Sequence, residues 1–170
     1  GFGVAASAVG MDKLLMKATF GAAGLPQVRY VGIRTAAWRD ADRRTALLAR
    51  AEALGLPLFV KPACAGSSVG ITKVKDRAGL EAAVDAALAV DATALVEEAA
   101  DAREIECAVL EGESGEPEAS FPGEVVPGHE FYDYEDKYID DRSYSILPAA
   151  LPEETSNEVR RMACAAFDAV

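Results

Sequence analysis

The stretch Leu58-Phe59-Val60-Lys61-Pro62-Ala63-Cys64-Ala65-Gly66-Ser67-Ser68-Val69-Gly70-Ile71-Thr72-Lys73-Val74 decides the reading of this chain. An apolar strand ends on a lysine, a glycine- and serine-rich turn follows, and a second strand resumes at Ile71. The turn brings several backbone N–H groups and the hydroxyls of Ser67 and Ser68 to one small volume beside a fixed positive charge. Glycine permits close backbone approach and successive amides form an anion nest, so the concavity suits a polyphosphate. It is not a Walker A loop, because no Gly-Lys-Ser/Thr opens a following helix. Strand–loop–strand is the arrangement of a flap that closes over phosphates. The plain alternative is an ordinary hairpin after a strand-end lysine.

Outward from the flap, the chain alternates helical and strand patterns. Val4 to Ala23 reads as one helix, with Met11, Leu15, Ala18 and Ala22 at helical spacing and Gly24 and Pro26 as its stop. Val28 to Ile33 reads as a strand and Asp40 to Leu54 as a helix ended by Gly55. Strands near 58–61 and 71–75 flank the flap, and Leu80, Ala83, Val84, Ala87 and Leu88 mark a third helix. Ala94 to Glu97 is a short strand, after which the polar segment Ala99 to Arg103 leads into a second sheet. Its strands are Ile105 to Leu110 and Ala119 to Val126, joined across Glu111–Gly115. The segment 127–147 is polar and aromatic with no sustained period, as in a functional lid. The last helix carries Val159, Met162, Ala163, Ala166, Phe167 and Val170 on one face, with Pro152 in its first turn. The expected fold class is α/β followed by α+β, in two small lobes with a cleft between them. Residues 1–97 form the central lobe, and residues 98–170 form the first part of the second.

Composition narrows the function classes. The 170 residues are 51% hydrophobic, enough to fill a real core. Lys plus Arg total 17 against 28 Asp plus Glu, a formal charge of −11, which argues against a nucleic-acid or anionic-membrane partner. Local cations must therefore do any anion binding. Cys64, Cys107 and Cys164 are odd in number and widely spaced with no CxxC, as in a reduced cytosolic protein. No apolar run approaches ~18 residues and no basic-then-apolar pattern opens the sequence, so neither a membrane span nor a signal peptide is expected. Gly1-Phe2-Gly3-Val4-Ala5-Ala6 matches a dinucleotide fingerprint only formally, since no strand precedes it.

Four motifs accompany one another in order: Met11-Asp12-Lys13, the Lys61 flap, Val96-Glu97-Glu98 with Arg103-Glu104-Ile105-Glu106, and Phe131-Tyr132-Asp133-Tyr134-Glu135-Asp136-Lys137-Tyr138. Singly each has a bland reading: a solvated helix lysine like the neighbouring Lys17, a polar strand end, a loop lysine. Together they closely resemble a D-alanine–D-alanine ligase of the ATP-grasp superfamily, over essentially the whole chain.

The resemblance implies an ATP-grasp fold and an ADP-forming enzyme that joins two D-alanine molecules through a D-alanyl phosphate, for peptidoglycan precursor synthesis in the cytoplasm. It implies that Lys13 and Lys61 reach the ATP phosphates and that Ser67 and Ser68 help fix the γ-phosphate. The segment at Glu97 would hold adenine, with the backbone of Glu98 and Ala100 pairing with its edge, while Glu104 accepts from the ribose. Phe131 would lie near the nucleotide. Lys137 would contact the γ-phosphate side and the substrate carboxylate, and Tyr138 would hydrogen-bond Ser67. Ser67, Lys137 and Tyr138 are thus the implied catalytic residues, and Tyr138 favours the dipeptide-forming branch over D-alanine–D-lactate ligases; a D-alanine–D-lactate or D-alanine–D-serine ligase is the alternative. A non-catalytic ATP-binding module is the alternative of another class.

Both ends read as cut, so the fold is expected to be incomplete there. The family's two Mg²⁺ are held by an Asp and a later Glu-x-Asn, expected beyond Val170, and no metal ligand is assigned within the chain. Without them this chain alone is expected not to turn over. The full-length protein is expected to be a homodimer, with D-alanine as its substrate partner and neither nucleic acid nor membrane.

Overall fold

The structure is a computed structural model that describes residues 3–128, 134, 139 and 142–170. The first helical stretch divides where one continuous helix was expected: α1 is Val4–Met11 and α2 is Lys13–Ala22. Asp12 between them is extended, at φ −106° and ψ 109°. Its Oδ1 accepts from the N–H groups of Leu14 at 2.8 Å and Leu15 at 3.1 Å. A short carboxylate there satisfies donors that a continuing helix would have bonded internally, so Asp12 ends one helix and starts another. Leu25 N–H bonds Phe20 C=O and Gly24 takes φ 75°, a left-handed helix stop as the sequence predicts.

Four antiparallel strands follow in the first compact unit: β1 (Tyr30–Arg34), β2 (Leu58–Pro62), β3 (Thr72–Val74) and β4 (Thr93–Glu98), in the order β1-β4-β2-β3. Residues paired across strands share a face, and the face alternates along each strand. One face carries Val31, Ile33, Leu58, Val60, Val74, Ala94 and Val96, all buried. It is covered by α4 (Ala41–Glu52) and α5 (Leu80–Val90), which contribute Leu47, Ala51, Leu80, Ala83, Val84 and Ala87 to the same cluster. The other face carries Tyr30, Phe59, Lys61, Lys73 and Glu97.

A short helix, α3 (Thr35–Trp38), was not foreseen, since four residues show no period. It buries Trp38, whose Nε1–H donates to Asp85 at 2.7 Å. The helix ends expected from sequence hold elsewhere. Asp40 caps α4 by accepting from Arg43 N–H at 3.0 Å, and Gly55 stands just beyond it at φ 90°. Asp76 caps the 3₁₀ turn Arg77–Gly79 that opens α5.

The second unit is built of short antiparallel pieces. The two long strands expected there are each interrupted, giving β5 (Glu104–Glu106), β6 (Val109–Glu111), β7 (Pro117–Ala119) and β8 (Gly123–Val126). The break is set by Ser120 and Pro122. The Ser120 hydroxyl accepts from Ala108 N–H at 3.1 Å and donates to Phe121 C=O at 2.9 Å, and Pro122 has no N–H for a ladder. The segment 127–147, expected to lack regular structure, contains strand β9 (Tyr144–Ile146), which pairs with β8 to give the sheet β5-β8-β9. Helix α6 (Glu153–Asp168) lies on the β6–β7 hairpin; Pro152 stands at its N-cap rather than in its first turn. Arg160 donates to Ala119 C=O at 3.1 Å and Cys164 Sγ meets Pro117 C=O at 3.5 Å.

Contacts divide the chain into a first unit of residues up to Lys17 with Gln27–Asp101, and a second of Ala18–Pro26 with Ala102–Val170. Leu58 is fully buried on a central strand of the first unit. Replacing it by alanine should destabilise by about 2–5 kcal/mol in denaturant unfolding. Leu110→Ala, at a side chain in solvent, should stay within about 0.5 kcal/mol.

Candidate active site

Of the sequence-predicted residues, the charged face of the four-stranded sheet carries Lys61 and Glu97. Tyr30 and Phe59 stand opposite Glu97 in the register of β1, β4 and β2, so period-two alternation alone puts them with Lys61 on one surface. Glu97 is one of two buried charged residues among those described. Its Oε1 accepts from Lys61 Nζ, and its Oε2 lies 3.2 Å from Lys17 Nζ. Lys17 was read as an ordinary surface lysine; instead its side chain is only 11% exposed, with its Nζ 5.0 Å from the centre of the Tyr30 ring. The signal that could have found it is its spacing, since Lys13 and Lys17 fall four apart on one face of α2. Helix and sheet approach closely here: a Cβ on Gly32 of β1 would lie 2.8 Å from Leu14 Cδ1.

Lys13 reaches the other side of the same region. Its Nζ donates to Ala65 C=O at 2.5 Å and Ala63 C=O at 3.3 Å, and its backbone N–H donates to Ala63 C=O at 3.1 Å. Burial, and next the charge of Lys61, hold its pKa below the usual lysine range. The base of the flap is tied down again at Cys64, whose N–H donates to Asp91 Oδ2 at 2.7 Å. Desolvation pushes the Asp91 carboxyl up, but hydrogen bonds from Cys64, Ala92 and Thr93 outweigh it and leave the pKa low. Desolvation, and then the Asp91 contact, push the Cys64 thiol up, so it stays protonated and a poor nucleophile.

The flap itself is a tight turn. Val69 N–H donates to Gly66 C=O at 3.0 Å, and the two residues between, Ser67 and Ser68, sit at φ 50° and 59°. Both central residues of the turn are therefore left-handed, as in a type I′ hairpin, but serines occupy positions where asparagine and glycine are usual. Gly70 follows at φ 72°, with no room for a Cβ beside Pro62.

At the end of β4 the backbone is partly committed. Glu98 N–H donates to Arg29 C=O, and Ala99 N–H to Pro57 C=O, each at 3.1 Å. The Glu98 carboxylate is held by Arg29, through its N–H and Nε at 2.8 Å each, and this lowers its pKa. Glu104 lies half-exposed on β5 of the second unit. Arg103 beside it grips Glu124 with a fork, Nε at 2.7 Å and Nη2 at 2.5 Å. Phe131, Lys137 and Tyr138 lie outside the described residues.

A family profile described as "D-ala D-ala ligase C-terminus" matches residues 19–170. The chain belongs to the D-alanine–D-alanine ligase family. Proteins named D-alanine–D-alanine ligase from Arthrobacter sp. (strain FB24) and Synechococcus sp. (strain WH7803) are each 50% identical across all of this chain, which covers 45% and 48% of them. The chain thus spans about half the length of the curated relatives it matches. Solved structures of similar shape include D-alanyl-alanine synthetase A from Vibrio cholerae, at TM-score 0.80 and 30% identity over 96% of this chain and 48% of that one. The VanG D-Ala:D-Ser ligase from Enterococcus faecalis matches at TM-score 0.76 and 31% identity over 96% of this chain and 46% of that one. The ATP-grasp fold is that of these neighbours.

The described residues include no cluster of three or more His, Cys, Asp or Glu able to hold a metal. No helix among the described residues is long and apolar enough to cross a membrane. Gly70→Ala should destabilise the protein by about 1 kcal/mol or more, because both its φ and its contact with Pro62 oppose a Cβ. Gly66→Ala, where a Cβ meets nothing within 4 Å, should change thermal unfolding little.

Proposed function

We propose that the protein carrying this chain is an ATP-dependent, ADP-forming D-alanine–D-alanine ligase, and that these residues form part of its nucleotide site. The observation that carries the reading is the gathering of Lys13 and Lys61 beside the left-handed Ser67–Ser68 turn, on a sheet face whose only buried anion is already paired. A triphosphate would give Lys13 an anion in place of the loop carbonyls it bonds, and would offset the charge that burial and proximity make unfavourable there. Amides and hydroxyls of the flap would hold the phosphate oxygens. The Glu98 carbonyl and Ala100 N–H would read the adenine edge, and Glu104 the ribose.

The chemistry is mostly positioning and charge neutralisation, as in phosphoryl transfer generally. A D-alanine carboxylate oxygen attacks the γ-phosphorus and ADP leaves. The amine of a second D-alanine then attacks the acyl phosphate carbon, loses a proton, and phosphate departs. Lys13 and Lys61 would spread the charge of the phosphates. On this reading Lys137 would contact the γ-phosphate and the substrate carboxylate, and Tyr138 would hydrogen-bond Ser67. This reading places the work in cytoplasmic peptidoglycan precursor synthesis by a homodimer. The VanG neighbour keeps D-serine in view as second substrate. ADP release at fixed D-alanine should be fastest with D-alanine as acceptor; preference for D-serine or D-lactate would move the protein to that branch, and no acceptor-dependent release would leave an ATP-binding module.

Lys61→Ala should weaken ATP binding about tenfold or more in an equilibrium titration without unfolding the protein; unchanged affinity would refute the flap assignment. The lowered Lys13 pKa gives a pH signature. The unliganded ammonium is lost below its ordinary 10.5, whereas phosphate favours the charged form, so affinity should fall as pH rises towards that value. Lys13→Arg, which stays charged, should flatten the profile between about pH 7 and 10.

A further inference from the structure

We propose that Lys17 is a positioning residue of this site, the standing counter-ion of Glu97 that frees Lys61 to turn to a bound phosphate. The inference rests on the nucleotide reading above and deepens it. The two oxygens of the Glu97 carboxylate are divided: Oε1 takes Lys61 and Oε2 takes Lys17. The two lysines are not equivalent. Lys17 rises from the middle of α2, is 11% exposed, and has the Tyr30 ring 5.0 Å from its Nζ. Lys61 stands at the strand end that leads into the flap and is 18% exposed.

Consider the carboxylate with Lys61 as its one partner. Drawing that lysine to a phosphate would strand a buried anion, and breaking a buried pair in this way is the strongly unfavourable event in such clusters. With Lys17 in place, Glu97 keeps a partner at 3.2 Å while Lys61 departs. Lys17 thus acts on the ligand through Glu97 and Lys61 and has no need to touch it.

The test is a double-mutant cycle on the protein carrying this chain, read by equilibrium titration with ATP and by thermal unfolding. Lys17→Met, which keeps the stem and removes the charge, should weaken ATP binding about fivefold or more even where near-UV circular dichroism shows all of the protein folded. Adding Glu97→Gln should restore at least about half of that loss on a logarithmic scale, because no buried anion then holds Lys61. Lys17→Arg should stay within about twofold of the parent. A purely structural Lys17 would lower the unfolding temperature without any rescue by Glu97→Gln. Should Lys17→Met not fold, Lys17→Gln replaces it in the same cycle and is read the same way. Parent-like affinity in the Lys17 variant, or losses that simply add, overturns the proposal while leaving the nucleotide reading intact. Failure of the parent to bind ATP overturns both.

Discussion

One buried carboxylate organises the charged face of the first unit. Glu97 is 12% exposed at its side chain and lies between two lysine ammonium groups. At an effective dielectric constant near ~20, each contact is worth about 4 kcal/mol before desolvation, which takes back several kcal/mol per ion. The net contribution to stability is therefore small. The consequence is geometric: two long, flexible side chains from a helix and a strand are held on one surface. An apolar residue at position 97 would pack well enough, but it would release both lysines into solvent.

The sheet makes this possible by separating two tasks onto its two faces. Alternation along β2 sends Leu58 and Val60 to the helices α4 and α5, while Phe59 and Lys61 point the other way. The same alternation along β4 puts Val96 in the core and Glu97 opposite it. The charged residues thus stand on elements whose positions are set by a fully packed core, which holds a site more firmly than a loop does. Leu14 against Gly32 brings α2 close enough to the charged face for Lys17 to span to Glu97.

Much of this was legible in the sequence, for identifiable reasons. The strand, flap and strand around Lys61 were readable because lysine and glycine interrupt a β-rich apolar run, and α4 and α5 because their stripes carry a period and end on Gly55 and Val90. The division at Asp12 was not, because helical periodicity passes across it unchanged and only the capping bonds to Leu14 and Leu15 mark the break. Nor were the interruptions at Ser120 and Pro122, where β-propensity continues but hydrogen bonding does not. Lys17 escaped for a third reason. Its partner Glu97 lies eighty residues away in sequence, and the four-residue spacing from Lys13 marks a shared helix face without showing what that face meets.

The flap shows how a left-handed turn can be held in place. Two successive serines in left-handed backbone each oppose the conformational preference of L-residues, by roughly 1–2 kcal/mol apiece in the helical reference case. Glycines would relieve that strain but would remove both hydroxyls and let the amides wander. The surroundings offset it instead. Lys13 bonds the carbonyls of Ala63 and Ala65 before the turn, Asp91 holds the Cys64 amide, and Gly70 closes against Pro62 after it. Strain of this kind persists only where neighbouring contacts specify the conformation, and such places cluster at ligand sites. Lys13 then serves two ends with one side chain: it holds the turn through the loop carbonyls, and it brings to the same place a charge that burial makes eager for an anion. A ligand phosphate that draws Lys13 away from Ala65 would replace that tie with its own contacts to the turn, so the flap's conformation and the lysine's charge are coupled through a single ammonium group.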